Sequence, residues 1–505
     1  MRDTPATDNR NAGTAGILGR NAFWLGTATA VSMAASFLYV TRMAAYIGPT
    51  EFGRYSLIVA VAGWLVSVGQ GGGATALILL SAQHPEQSRN LLRPGVLIQI
   101  GVGFIAVTVG WLAVWRLTHD ARLLAPTMLF GAASTAVLVL SVPISIHRGL
   151  NRMQWAWAPT LAQILTVALF PLVVWSRGGL SAAIACNTVA CAAVCLITIP
   201  FSSKLLPNAS GAKLSSLPRA LIGSSLALWL VTALQWIHWK VGLLVVQTLA
   251  GSHDVGIYSA GLRIVESMRV FPWFILMTVL PSIARYAHVD PPRAMLMVRQ
   301  GLRLLMLAAF PITAVVALLS WRVVGGIYTH EFEPAADVLR LAALGFIPGC
   351  AHWVFLNALV AFRAHSALIK AYSASILMQA IISALLVQHW GARGAAVGSA
   401  LGETLAAFIC GYFLARLAGK PIDAVTPRLM LLGACMVAYV LTKPRLNVPA
   451  ALLWSGAVCA VYLVAAFFIR AISVSETLAL LRRCLWLGRR PQPALQSAPL
   501  LPQDT

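Results

Sequence analysis

Long apolar runs follow one another along this chain of 505 residues with only short polar connections between them. Fourteen runs of helical length stand at roughly 19–41, 56–80, 94–115, 122–143, 156–175, 179–200, 221–248, 256–281, 302–322, 337–360, 366–388, 394–415, 427–442 and 449–469. About 20 apolar residues span the hydrocarbon core of a bilayer as a helix, and a helix satisfies its own backbone there. At 59% hydrophobic and 10% charged residues, and a mean hydropathy of +0.79, the chain holds more apolar surface than soluble cores would hide. The pattern predicts an all-α membrane protein of about 14 transmembrane helices. No connection has room for a soluble catalytic domain.

The net charge of +22 would suggest nucleic acid in a soluble protein. Here the charges sit in short loops between apolar runs, so they report topology, and a nucleic-acid partner is excluded. With the N-terminus inside, 24 of the 37 Lys and Arg residues fall on the cytoplasmic side and 10 on the outer side. Lys240, Arg263 and Arg269 fall within spans. This bias places both termini in the cytoplasm. The polar first residues read as a tail, without a cleavage site. Of eight cysteines, seven lie in or beside apolar runs, Cys484 lies in the basic tail, and no CxxC pair exists. They read as small packing residues, and no metal site is expected.

Gly48-Pro49-Thr50-Glu51-Phe52-Gly53-Arg54-Tyr55-Ser56 follows the first run, and Gly251-Ser252-His253-Asp254-Val255-Gly256-Ile257-Tyr258-Ser259 follows the seventh. Both read G-x-x-acid-apolar-G-x-Y-S, at an offset of 203 residues. A duplicated six-span unit accounts for this. Its halves share one orientation, related by an axis along the membrane normal with a cavity between them. The glycines suit an outer turn needing positive φ, and the acid suits the start of the next helix. The expected organisation is a tail (1–18), an N-lobe of six helices (19–200), a Ser/Pro/Lys-rich cytoplasmic linker (201–219), a C-lobe of six (220–415), two extra C-terminal helices (416–470) and a basic cytoplasmic tail (471–505).

The run TRMAAYIGPTEFGRYSLIVAVAGWL at 41–65 resembles the opening of polysaccharide repeat-unit flippases of the multidrug/oligosaccharidyl-lipid/polysaccharide (MOP) exporter superfamily. HRGLNRMQ (147–154), HDVGIYSAGLRIVE (253–266), YTHEFEPAADVLRLAA (328–343) and GARGAAVGSALGE (391–403) resemble later segments of that family, in order. The resemblance covers about residues 20–415. It implies two six-helix lobes around a central cavity and alternating access. It also implies a polyprenyl-diphosphate-linked oligosaccharide as cargo, a bacterial inner membrane, and a polysaccharide polymerase or export machinery as partner.

Carrying a diphosphate and sugars past hydrocarbon calls for polar groups inside the spans, where they are costly and usually functional. Arg263, Glu266 and Arg269 in the eighth run are spaced i, i+3, i+6 and read as one side of a helix. They lie about 10 to 20 Å from its outer end. The functional reading has both arginines facing the cavity to bind diphosphate, with Glu266 holding them or exchanging an ion. The alternative is a self-neutralising triad packed between helices. Pro272 is expected to kink this helix. Lys240 lies mid-span, with His238 nearby, and shares a stripe with Trp229 and Trp236; Trp236 could stack on a sugar or simply pack. Arg42 ends the first run as a headgroup contact at the cavity mouth or as an interfacial anchor. Val245 takes its place in the second repeat, so the lobes differ in chemistry. Glu403 is a second intramembrane carboxylate, for ion coupling or for structure. His147 is expected to be solvated in a loop.

Gly69-Gln70-Gly71-Gly72-Gly73 lacks the preceding strand and following Gly-Lys-Ser/Thr of a phosphate loop. With no nucleotide motif, no cofactor is expected, and transport is expected to draw on a proton or sodium gradient or on consumption of the cargo. Two other readings stand beside the flippase. One is a transporter of the same fold for another cargo, such as a drug or a peptidoglycan precursor; an excess of cations over acids within the spans favours an anion. The other is a membrane glycosyltransferase, a repeat-unit polymerase or ligase, which would call for a long outer loop.

Overall fold

The computed structural model describes residues 6–207, 226–287, 289–442 and 448–469. Most of the expected linker, including Asn208, and the basic tail from 471 lie outside the described residues, as do residues 1–5 of the expected N-terminal tail. Ten described helices are long and apolar enough to cross a membrane, and Thr426–Leu441 is a shorter apolar one.

The helices are α1 (Ala6–Gln83), α2 (Ser88–Thr118), α3 (Leu124–Gly149), α4 (Trp157–Trp175), α5 (Leu180–Leu205), α6 (Leu226–Leu249), α7 (Ser252–Met268), α8 (Val270–Tyr286), α9 (Pro291–Ile327), α10 (Ala335–Ala361), α11 (His365–Trp390), α12 (Ala392–Ala418), α13 (Thr426–Leu441) and α14 (Val448–Phe468). Helix α1 is two spans in one, broken only at Gly48 (φ 79°, ψ 172°). Helices α7 and α8 together make one span. With α1 taken as two and α7 with α8 as one, the described helices agree in number with the expected fourteen. Helix α1 starts at Ala6, so much of the expected tail is helical.

The repeat shows in the backbone. Gly251 (φ 85°, ψ −179°) adopts the conformation of Gly48, a region that essentially only glycine visits. The other motif glycines, Gly53 and Gly256, are helical, which corrects the expectation that all of them serve the turn. A Cβ on Gly53 would lie 1.8 Å from the Ser252 carbonyl oxygen, and one on Gly256 1.9 Å from that of Pro49. Each repeat thus lays a bare backbone against the helix start of the other.

Helix α1 joins the lobes along its second half. Trp64 donates its indole N–H to the Ala233 carbonyl (3.2 Å), and Trp236 donates to the Ala60 carbonyl (3.0 Å). One continuous core runs through both lobes, from Met43 and Leu57 to Ile257, Leu305 and Leu359. Phe104, Leu196 and Phe408 are exposed, as expected of helix faces turned to lipid. Helices α13 and α14 brace α9: Tyr462 donates to the Met306 carbonyl (3.4 Å), and Arg303 pairs with Asp423.

One expectation holds and one needs correction. The eighth span breaks at Arg269, one turn before Pro272, as the expected kink requires. Proline offers no N–H to the carbonyl four residues back and its ring crowds that carbonyl, so the disruption falls in the preceding turn. His147 is not solvated. Helix α3 continues to Gly149, which buries the ring flat against Trp155 (3.9 Å between centroids, 4° interplanar) with Nε2 3.0 Å from Ser202 Oγ.

Candidate functional site

A chamber of about 390 Å³ lies between the lobes, within the roughly 300–1,000 Å³ usual for ligand pockets. The N-lobe wall is polar but uncharged, with Ser36, Tyr55, Gln163 and Asn187. The C-lobe wall carries Lys240, Arg263 and Glu266, with Trp236 and Trp239.

Glu266 organises the cations. Lys240 Nζ lies 2.9 Å from its Oε1, and Arg263 Nη1 3.7 Å from its Oε2. Arg263 also reaches across the chamber to donate to Ser36 Oγ of the N-lobe (2.8 Å). Lys240 sits over the Trp236 ring at 5.6 Å. Two cations share one carboxylate, so the wall carries a net positive charge beside aromatic surface. Such a wall suits an anion with a flat or hydroxylated neighbour.

The structure separates Arg269 from this group. Three residues advance a helix by about 300°, so i+6 lies about 120° round from i. Arg263 and Glu266 therefore face the chamber while Arg269 turns into the C-lobe. There it pairs with Glu403 (3.2 Å) and lies over Trp239 (4.9 Å). A cavity of about 30 Å³ adjoins it, lined by Glu403, Arg269 and Glu266 among others. Glu266 thus borders both spaces.

Glu403 is buried at 5% exposure, and its carboxylate is fully engaged. His352 Nδ1 stands 2.8 Å from Oε2, and His238 Nε2 3.6 Å from Oε1. Ser375 Oγ lies 3.0 Å from His238 Nδ1 and donates to the Gly402 carbonyl at 2.7 Å. Sequence reasoning noted His238 but missed His352 and Ser375. A lone histidine inside an apolar run was the available signal for His352.

Of the remaining predicted residues, Trp236 lines the chamber, but its ring also packs on Gly63. Arg42 is exposed and does not line the chamber, although Val40 two residues before it does. The side chain of Trp229 lies outside the description. Residues 69–73 are helical backbone within α1, which leaves no phosphate loop there.

The family model "Polysaccharide biosynthesis protein" matches residues 18–287, more than half of the chain. No curated protein sequence matches. Among solved structures, the lipid II flippase MurJ in an inward closed conformation is similar with a TM-score of 0.69 at 13% identity, over 88% of this chain and 98% of that one. An inward-facing multidrug resistance MATE family transporter of the MOP superfamily gives 0.61 at 13% identity, over 82% and 96%. A MOP superfamily transporter from Pyrococcus furiosus gives 0.59 at 13% identity, over 84% and 96%. At that identity the likeness is one of fold.

Proposed function

The chain belongs to the polysaccharide biosynthesis protein family, and from that premise we propose that it is a flippase. Its cargo is a polyprenyl-diphosphate-linked oligosaccharide, moved from the cytoplasmic to the outer face of a bacterial inner membrane by alternating access. Both termini lie in the cytoplasm, and the product feeds a polysaccharide polymerase or export machinery.

The observation that carries this reading is the placement of Lys240 and Arg263 on one wall of the inter-lobe chamber. Lipid-linked oligosaccharide presents a diphosphate that hydrocarbon rejects and sugars that aromatic and amide side chains accept. In the free protein Glu266 occupies both cations. The arriving diphosphate displaces that carboxylate and takes its place between Lys240 Nζ and the Arg263 guanidinium. Trp236 and Trp239 offer ring faces to the sugars, while the polyprenyl tail stays in lipid. Arg263 also holds Ser36 of the opposite lobe, so loading the arginine alters a contact between lobes. That gives cargo binding a handle on the rocking of one lobe against the other. Glu266, returned to its cations when cargo leaves, is the carboxylate proposed to link transport to a proton or sodium gradient.

The test is to delete the gene and ask which face of the membrane holds single lipid-linked repeat units. Units trapped on the cytoplasmic face, and released by the wild-type chain but not by Arg263→Ala or Lys240→Ala, are the expected result. Single units already on the outer face would point to a polymerase or ligase instead. Normal units in a strain that loses export of another compound would point to a transporter for that cargo.

A further inference from the structure

The C-lobe interior holds a second constellation that the chamber does not use. His238 on α6, His352 on α10 and Glu403 on α12 bring their ligating atoms within 4.8 Å of one another, and all three residues are buried. The imidazole rings meet edge to face at 5.7 Å, with Tyr372 beside both at 5.5 and 5.4 Å.

Hydrogen-bond accounting fixes one ring. Ser375 has one hydroxyl proton, and it goes to the Gly402 carbonyl. Ser375 Oγ therefore accepts from His238 Nδ1–H. The neutral ring then presents the lone pair of Nε2 to Glu403 Oε1 at 3.6 Å. Two acceptors then face each other in a buried place; Arg269 already donates to Oε1, and a positive guest shared between the two would satisfy Nε2 as well. That guest is either a proton or a metal ion.

From this geometry we propose that His238, His352 and Glu403 form a binding site for a divalent transition metal, with zinc the best match. Two imidazoles and one carboxylate are the ligand set of open tetrahedral zinc sites. At bonds of about 2.0–2.1 Å, neighbouring ligand atoms of a tetrahedron stand roughly 3.4 Å apart. The imidazole nitrogens lie 3.6 Å from Oε1 and 2.8 Å from Oε2 of Glu403, and one ligand atom from each residue falls within 4.8 Å of the others, so the side chains must draw together by an ångström or so to close on an ion. Ser375 supplies the outer partner that orients a metal-binding imidazole. Hard cations such as sodium prefer oxygen, so two nitrogen donors select against them. The cavity of about 30 Å³ beside Glu403 is also lined by Glu266, which borders the main chamber, so only that side chain stands between the two spaces on this side.

Arg269 is the competitor, at 3.2 Å from Glu403 Oε1. A divalent ion added beside it would leave two net positive charges in a buried site. If the guanidinium moves toward Glu266, which lines the same small cavity, one net positive charge remains. That equals the charge of the cluster with Arg269 in place and one imidazolium. Metal binding is thus linked to the departure of Arg269 toward the chamber wall. The proposal does not depend on the identity of the cargo.

The experiment uses full-length, tag-free protein in detergent, loaded with zinc and dialysed, then with cobalt(II) as a visible probe. Expected are one tightly held zinc per chain and the cobalt d–d absorption of a tetrahedral site, both lost in His352→Ala and Glu403→Gln. Arg269→Gln should bind zinc at least tenfold more tightly, because its competitor is gone. This gain-of-affinity variant keeps the test informative if the loss variants fold poorly. No retained zinc in the wild type, retention undiminished in both loss variants, or unchanged affinity in Arg269→Gln would each overturn the proposal.

Discussion

Gly53 and Gly256 occupy the same place in the two repeats, and each lies against the backbone where the other's helix begins. A Cβ on either would lie within 2 Å of a carbonyl oxygen, that of Ser252 for Gly53 and that of Pro49 for Gly256. Contact this close needs both residues to be glycine, because backbone, unlike a side-chain tip, does not swing away. Phe52 joins the closure by packing edge-on to Phe332 (6.1 Å, 70°).

Closure of that end should therefore fail in Gly53→Ala and Gly256→Ala. Overpacking costs roughly 1–3 kcal/mol, so the closed form should lose about 5- to 150-fold in population. The charge bias reads this end as outer. Single cysteines in the chamber wall, at Ser259 or Ser134, should then label faster from the outside in the alanine variants. Unchanged labelling would mean that the glycines serve packing and not closure.

Lys240 and Arg263 should both be needed for flipping, to different degrees. Lys240→Ala removes the shorter contact to Glu266, and Arg263→Ala also removes the bridge to Ser36. Charge-assisted hydrogen bonds contribute roughly 1.5–3 kcal/mol, so each variant should transport about 10- to 100-fold more slowly. Arg263→Lys should fall between, because lysine keeps the charge without the fork that spans two partners. Glu266→Gln should bind inorganic diphosphate more tightly than wild type, since the competing carboxylate is neutralised. Equilibrium binding on the purified variants separates this from a simple loss of fold.

Much of this arrangement is legible in the order of the residues alone. Apolar runs are set by the bilayer, so their number and the repeat could be read from residue order. Lys240, Arg263 and Glu266 declared themselves by their cost in a span. Arg269 was misplaced because i, i+3, i+6 looks like one face only until the drift of about 120° is counted. The inward environment of His147 and the His238–Glu403–His352 cluster depend on partners far along the chain, His352 and Glu403 being 51 residues apart and on different helices. No local spacing encodes such a meeting. Arg42 shows the converse: its place at the end of a run gave no sign of which way the side chain faces.

The indoles of Trp64 and Trp236 should act as a pair. Each donates to a carbonyl on the other's helix, so the two bonds fix the depth at which α1 and α6 cross. Trp64→Phe and Trp236→Phe keep the apolar bulk and remove the donor. Each should destabilise the detergent-solubilised protein by about 1 kcal/mol. The double variant should lose less than the sum, since a crossing already loosened at one bond strains the other less. Additive losses in a double-mutant cycle would show the two bonds to be independent.

Asp423 connects acid sensitivity to the C-terminal helices. It lies between α12 and α13, where its Oδ1 accepts from the N–H (2.8 Å) and hydroxyl (2.6 Å) of Thr426 and its Oδ2 pairs with Arg303. Burial works to raise its pKa, but the Thr426 hydrogen bonds and then Arg303 outweigh it and hold the carboxyl below its ordinary value. A carboxylate depressed in the folded state contributes stability above its unfolded pKa, near 4, and loses it as pH falls through the lower folded value. Thermal stability of the wild type should accordingly drop below about pH 4. Asp423→Asn should already be less stable at neutral pH, and its difference from wild type should shrink on acidification. A difference that stays constant down to pH 3 would show that the charge of Asp423 does not hold α13 against α9.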